Sequence, residues 1–231
     1  KQWGHNHIKD LYQSNNYLTK SIAFGLQTNT SAGPLIISPD GLRAWQEAGT
    51  YDTLFEYTLS SAWDVSTIEL DYTKQSTHLR GYIGEIIDQM AFNNDGTKMY
   101  FAVDDNQPSA STNKLIQVDL GTAYDTSTID GSSVAYLTAV HPTAPHTHVE
   151  GFCFSANGSY LYITEDGVDD IFQFTLSTPW DITTASYTAI KETVGNNFGL
   201  HISSDGSNIY LHLLQTKSSF FWSFVFADFV N

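Results

Sequence analysis

A single cysteine, Cys153, stands in 231 residues. With no second thiol there is no intramolecular disulfide, so the stapled frameworks of small secreted domains are excluded. Cys153 lies in GFCFS between two phenylalanines, which reads as a buried strand position. Basic residues are scarce: 10 Lys and Arg face 25 Asp and Glu, a formal net charge of -15. Such a surface repels nucleic acid and anionic membrane faces, and leaves cations, carbohydrates and basic protein patches as partners. Long apolar runs are missing as well. The longest, FFWSFVF at 220–226, falls well short of the roughly 20 residues of a membrane-spanning helix, so no insertion is expected. No H-E-x-x-H, phosphate-cradling glycine loop, EF-hand spacing, Ser-His-Asp set or basic stripe occurs. Lys1 in place of Met predicts a processed or excised chain.

Aromatic residues, by contrast, are plentiful. They make up 14% of the chain, mostly Tyr and Phe, which suit pleated, half-buried surfaces. Four segments share one pattern: LIISPDGLRAW (35–45), MAFNNDGTKMYF (90–101), FCFSANGSYLYI (152–163) and LHISSDGSNIYL (200–211). Each sets Asp-Gly or Asn-Gly between two apolar runs, a strong hairpin signal because Gly and Asn tolerate the positive φ of a tight turn. The landmarks Asp40, Asp95, Asn157 and Asp205 are separated by 55, 62 and 48 residues. A second element recurs behind them. It is YTLSSAWDVSTIEL at 57–70, VDLGTAYDTSTID at 118–130 and FTLSTPWDITTASY at 174–187.

A period near fifty residues with two hairpin signals per unit predicts four strands per unit, hence an all-β propeller of four-stranded blades. A β-sandwich, the alternative, does not require matched turn chemistry in every unit. Strands are expected at about 150–156, 159–165, 170–176 and 185–192 in the third unit. Four blades are counted in a single domain, 1–231: about 33–82, 86–140, 149–195, and 197–231 together with 1–28. The stretch 10–26 resembles the segments after Trp-Asp. It is expected to pair as the outer strand of the last blade and close the circle.

Several residue sets could carry chemistry. The loops between second and third strands are acidic: QEAGTYD (46–52), Asp104 and Asp105, and Glu165, Asp166, Asp169 and Asp170. Clustered oxygen donors suit calcium, and ordinary solvated turns suit the same residues. Asp88, Glu150 and Asn197 stand shortly before their turns. They could converge on the channel around one cation, or simply line it with water. His146, His148 and Glu150 project to one side of an extended segment, usable as a zinc site or general base, or chance members of a Pro-rich loop. Trp63 and Trp180 either plug the space between blades or offer platforms for stacking a glycan. Their neighbouring Asp caps the turn, and Pro179 presets φ.

The pairing of F-S-x-D/N-G with L-S-T-P-W-D-I is best carried by Phe154, Ser155, Asn157, Gly158 and the run Leu176 to Ala185. It resembles propeller repeats of marine bacterial surface proteins and phage tail and spike proteins, and the distal spike domain of membrane-containing marine corticoviruses. The resemblance covers about 33–231; Tyr124 replaces Trp in the second unit and the fourth lacks the second motif. It implies a non-enzymatic tip on the virion surface, extracellular, with calcium in its loops. Its partners would be a glycan or outer-membrane receptor on a host cell, with other virion proteins behind it. Two alternatives stand beside it: a metal-dependent, lactonase-like hydrolase at the channel, using Glu150, His146 and His148, and a structural scaffold.

Overall fold

The three Asp/Asn-Gly turns with a described glycine fold alike. Gly41, Gly96 and Gly158 take φ of +73°, +74° and +72°, the left-handed region where a side chain is costly. The acid or amide before each glycine folds back on the turn, Oδ1 accepting from Leu42 N at 3.0 Å, Thr97 N at 3.0 Å and Ser159 N at 3.1 Å. Such a turn reverses the chain in place, so alternating apolar runs on either side become antiparallel partners.

The computed structural model describes residues 32–48, 53–71, 86–104, 114–137, 148–166, 168–192, 196–203 and 208–214. They form three four-stranded sheets and one two-stranded sheet, every pair antiparallel and every neighbour consecutive. The first sheet is β1 (Ala32–Ile37), β2 (Arg43–Ala48), β3 (Thr53–Leu59) and β4 (Ile68–Leu70). The second is β5 (Ile86–Phe92), β6 (Lys98–Asp104), β7 (Lys114–Leu120) and β8 (Ile129–Leu137). The third is β9 (His148–Phe154), β10 (Tyr160–Asp166), β11 (Val168–Leu176) and β12 (Ala185–Glu192). The fourth is β13 (Asn196–Ile202) with β14 (Ile209–Leu214).

The sheets stand side by side through their inner strands, β1 packing on β5, β5 on β9 and β9 on β13. Each joint buries its own apolar layer. Trp45 and Leu54 meet Met90, Met99 and Val118 between the first two sheets. Tyr100 and Leu115 meet Phe152, Leu161 and Phe172 between the next two. Tyr162 and Ile171 meet Leu200 and Ile209 at the last. This is a propeller-like arrangement. Among the described residues β13 does not pack on β1 as the other inner strands pack on one another. The segment 10–26 expected to close the circle, and the outer part of the fourth blade, lie outside the described residues.

The Trp-Asp motif makes the turn from third to fourth strand. Asp64, Asp125 and Asp181 cap short 3-10 turns at Val65–Thr67, Thr126–Thr128 and Ile182–Thr184, their side chains accepting from Ser66 N, Ser127 N and Thr183 N. The preceding aromatics take the left-handed conformation, with φ of 63° at Trp63, 58° at Tyr124 and 65° at Trp180. Each donates its backbone N–H to the turn glycine of its own sheet, to Gly41 O at 2.9 Å, Gly96 O at 2.9 Å and Gly158 O at 3.0 Å. The ring then lies against that glycine.

Strand positions in the third unit match expectation within two residues, with one instructive difference. β9 begins at His148 because β10 runs on to Asp166 and offers it a ladder partner. His148 is therefore a strand residue and not part of a loop.

A Cβ on Gly158 would meet the Trp180 ring at 2.3 Å. Gly158→Ala is expected to cost roughly 2–4 kcal/mol, from positive φ plus overpacking. Asp181→Ala, which removes only the cap, should cost about 1 kcal/mol. Urea unfolding of both variants checks the order.

Candidate functional site

Antiparallel pairing sorts the chain into two ends. Ile86 pairs with Asp104 and His148 with Asp166, so the start of an inner strand meets the end of its second strand. The described acidic positions at the ends of second strands and starts of third strands gather at this loop end. The Asp/Asn-Gly and Trp-Asp turns occupy the other.

At the loop end every inner strand is irregular at a corresponding place. The ladder slips between Ala32 and Leu35 in β1, between Ile87 and Gln89 in β5, and between Asn197 and Gly199 in β13. In β9, Thr164 pairs with Gly151 and Glu165 with Val149, leaving Glu150 at the bulge. Bulges turn a side chain out of the pleat and gather next to functional sites. The residues so placed are Asp88, which is exposed, and Glu150, which is half-buried. In the fourth sheet the position falls to Phe198, because Asn197 pairs with Leu213. The row expected from Asp88, Glu150 and Asn197 is thus one residue out of step at its last member.

Glu165 adds a second carboxyl beside this row. It sits on β10 opposite Val149, and only 2% of it is exposed. Burial disfavours the anion and pushes its carboxyl up to about 7. Thr164, its buried neighbour, donates Oγ1 to Gly151 O at 3.4 Å across to the inner strand. Glu47 on β2, with 1% exposed, takes the place in the first sheet that Ala102 and Thr164 take in the next two. Glu56 on β3 is equally buried, with Arg43 Nη1 3.9 Å from its Oε1. Sequence reasoning placed Glu47 in the acidic loop QEAGTYD, whereas it is a buried strand residue, and passed over Glu56. Aligning the units would have exposed them as acids where the other copies carry Ala102 and Thr164, or Gln117 and Gln173.

Asp104, Asp166 and Asp169 lie at loop-end strand termini, and Asp170 pairs with Glu192. Asp105 and His146 lie outside the described residues. Among the described residues no three His, Cys, Asp or Glu side chains come together as a metal site. Trp180 is half-buried, 5.0 Å from Phe154 between ring centroids, with its carbonyl accepting from Tyr100 Oη of the preceding sheet. It is built into a joint. Trp63, at the equivalent place in the first sheet, is 59% exposed. Burial pushes the Cys153 thiol far up, so it stays protonated.

Because folded Glu165 holds its proton more tightly than the unfolded chain does, its contribution to stability is full below about pH 4.5 and fades as pH rises to about 7. Glu165→Gln removes that dependence. Relative to the parent, the variant should gain up to about 3 kcal/mol between pH 4 and pH 8, read by denaturant melts across that range.

No family model and no curated protein matches the sequence. Solved structures match in shape. A candidate 6-phosphogluconolactonase from Bacteroides fragilis superposes with a TM-score of 0.57 at 16% identity, over 81% of this chain and 49% of that one. One from Bacteroides uniformis gives 0.55 at 15%, over 81% and 48%. A protein from Lactobacillus plantarum gives 0.54 at 14%, over 82% and 50%. The chain therefore spans about half the length of the solved structures it matches. These matches correct the expectation of a receptor-binding tip on a phage spike: the likeness falls on proteins carrying a lactonase name. At such identities the likeness establishes fold and nothing further. The described sheets are similar in fold to about half of these larger propeller-like proteins.

Proposed function

We propose that the loop end of this chain hydrolyses cyclic esters, with Glu150 as general base and Glu165 as the carboxyl that sets its pH range. The observation that carries this reading is the bulge, repeated in the inner strands, that holds Asp88 in β5 and Glu150 in β9, the latter next to Val149, the strand partner of the buried Glu165. The lactonase names among the fold neighbours support the same reaction class.

Water attacks the lactone carbonyl carbon while Glu150 takes its proton. The tetrahedral intermediate collapses, the ring C–O bond breaks, and the departing alkoxide recovers the proton from Glu150, giving the hydroxy acid. Glu165 lies one strand away and is too buried to meet substrate. Its ionisation near pH 7 places an anion behind Glu150 and raises the basicity of that carboxylate.

In the same reading the stretch 10–26 completes the fourth blade, which closes on the first. Val65 and Trp63 are 40% and 59% exposed, whereas Thr126 and Ile182, the equivalents of Val65, are each 1% exposed beneath a preceding sheet. A neighbour on that side would bring the first blade into line with the others.

A panel of γ- and δ-lactones, phosphorylated and not, followed by acid release, tests the activity. Turnover is expected to rise through pH 7, to fall by about 10²–10⁴-fold in Glu150→Gln, and to lose its inflection near pH 7 in Glu165→Gln while remaining measurable. No turnover across the panel, or a Glu150→Gln variant as active as the parent, overturns the reading.

A further inference from the structure

A cavity of about 330 Å³ lies between the inner strands β5, β9 and β13, at the end that carries the Asp/Asn-Gly turns. Neither Glu150 nor Glu165 lines it, although the lining residues Gln89 and Phe152 stand one and two residues from Asp88 and Glu150. Its size falls at the lower end of the range for small-molecule sites.

Its chemistry is unusual for so acidic a chain. Among the described residues that line it there is no Asp, Glu, Lys or Arg. His201 is ionisable, and the Cys153 thiol there is held protonated by burial. Among the described lining residues an anion would meet no fixed cation and a cation no carboxylate, which favours a neutral occupant.

The walls say more. Phe92, Phe154 and Trp180 contribute aromatic surface, with Ala91 and Ala156 leaving room between them. Aromatic faces carry partial negative charge and attract the polarised C–H edge of a saturated ring. Polar groups stand at the same mouth. Asn94 spends its Nδ2 on Ala156 O at 2.7 Å, and its Oδ1 remains chemically able to accept from a hydroxyl. His201 is exposed and stacked on Tyr210 at 6.2 Å, which orients an imidazole able to donate or accept.

We propose that this cavity binds an uncharged sugar ring, its C–H face on the aromatic wall and its hydroxyls toward Asn94 and His201. The site is independent of the hydrolytic reading: it uses other residues, and stands or falls separately. A phosphorylated sugar would meet no fixed cation among the described lining residues.

Saturation-transfer NMR on the full chain, with glucose, galactose and mannose against glucose 6-phosphate, tests this. Transfer to ring protons of at least one neutral sugar is expected, with glucose 6-phosphate at least tenfold weaker. Ala91→Trp, which fills the cavity, should abolish the signal, and His201→Ala, at an exposed position, should weaken binding fivefold or more. If Ala91→Trp loses its folded circular-dichroism spectrum, His201→Ala decides. No transfer to any neutral sugar, equal transfer to the phosphate, transfer that persists in folded Ala91→Trp, or unchanged binding in His201→Ala overturns the proposal.

Discussion

The contact on which the blades depend is an aromatic ring lying on a glycine that has no side chain to resist it. Trp63, Tyr124 and Trp180 are held at positive φ, a conformation that costs a residue with a Cβ about 1–2 kcal/mol. Three contacts offset that cost in each unit: the N–H to the glycine carbonyl, the ring on the glycine face, and the Asp cap that follows. Together they bind the first-to-second turn to the third-to-fourth turn, so one sheet is clamped across all four strands at one end. The clamp also projects the aromatic's carbonyl outward, where the preceding sheet can reach it.

That outward carbonyl explains why the joints share geometry but not chemistry. Arg43 Nη1 donates to Tyr124 O at 3.0 Å between the first and second sheets, whereas Tyr100 Oη donates to Trp180 O between the second and third. The Arg43 guanidinium also lies 5.5 Å from the Trp45 and Tyr124 ring centroids, adding a cation–π contact. Further in, the Gln89 amide bonds both the N–H and C=O of Phe152 at 2.9 and 2.8 Å, and Gln117 Oε1 accepts from Ile182 N at 3.0 Å. A buried amide that satisfies backbone groups of the next sheet stiffens the joint without adding charge. Any residue with a suitable donor can serve each position, which allows repeats to diverge while the packing stays the same.

This division between geometry and chemistry governs what could be read in the residues alone. The turns were legible because Asp-Gly and Trp-Asp act through local backbone demands that a few adjacent residues express. Hence the four-stranded units and the role of Asp181 follow from pattern. The inner-strand bulge was not legible. A bulge is a property of pairing between two strands, and VEGFCF carries no mark that Glu150 rather than Val149 leaves the ladder. The burial of Glu165 was hidden for the same reason: EDGVDD reads as a solvated acidic loop until β10 is seen to extend through it. Trp180 was open between packing and stacking, and only the Tyr100 contact and the Gly158 seat distinguish its two neighbours in space.

Buried carboxyls at the loop end argue for use rather than for stability. Ala102 and Val103 fill the equivalent places in the second sheet with apolar groups that are wholly buried, so packing here does not require a carboxyl. The clamp at the opposite end already secures the first three sheets, so the loop end can carry irregular ladders and one carboxyl, Glu165, pushed toward neutrality. Bulges and perturbed titration tend to gather where a protein acts. Here they coincide on β9 and β10, at the one end of the strands that the repeated turn motifs leave free to vary.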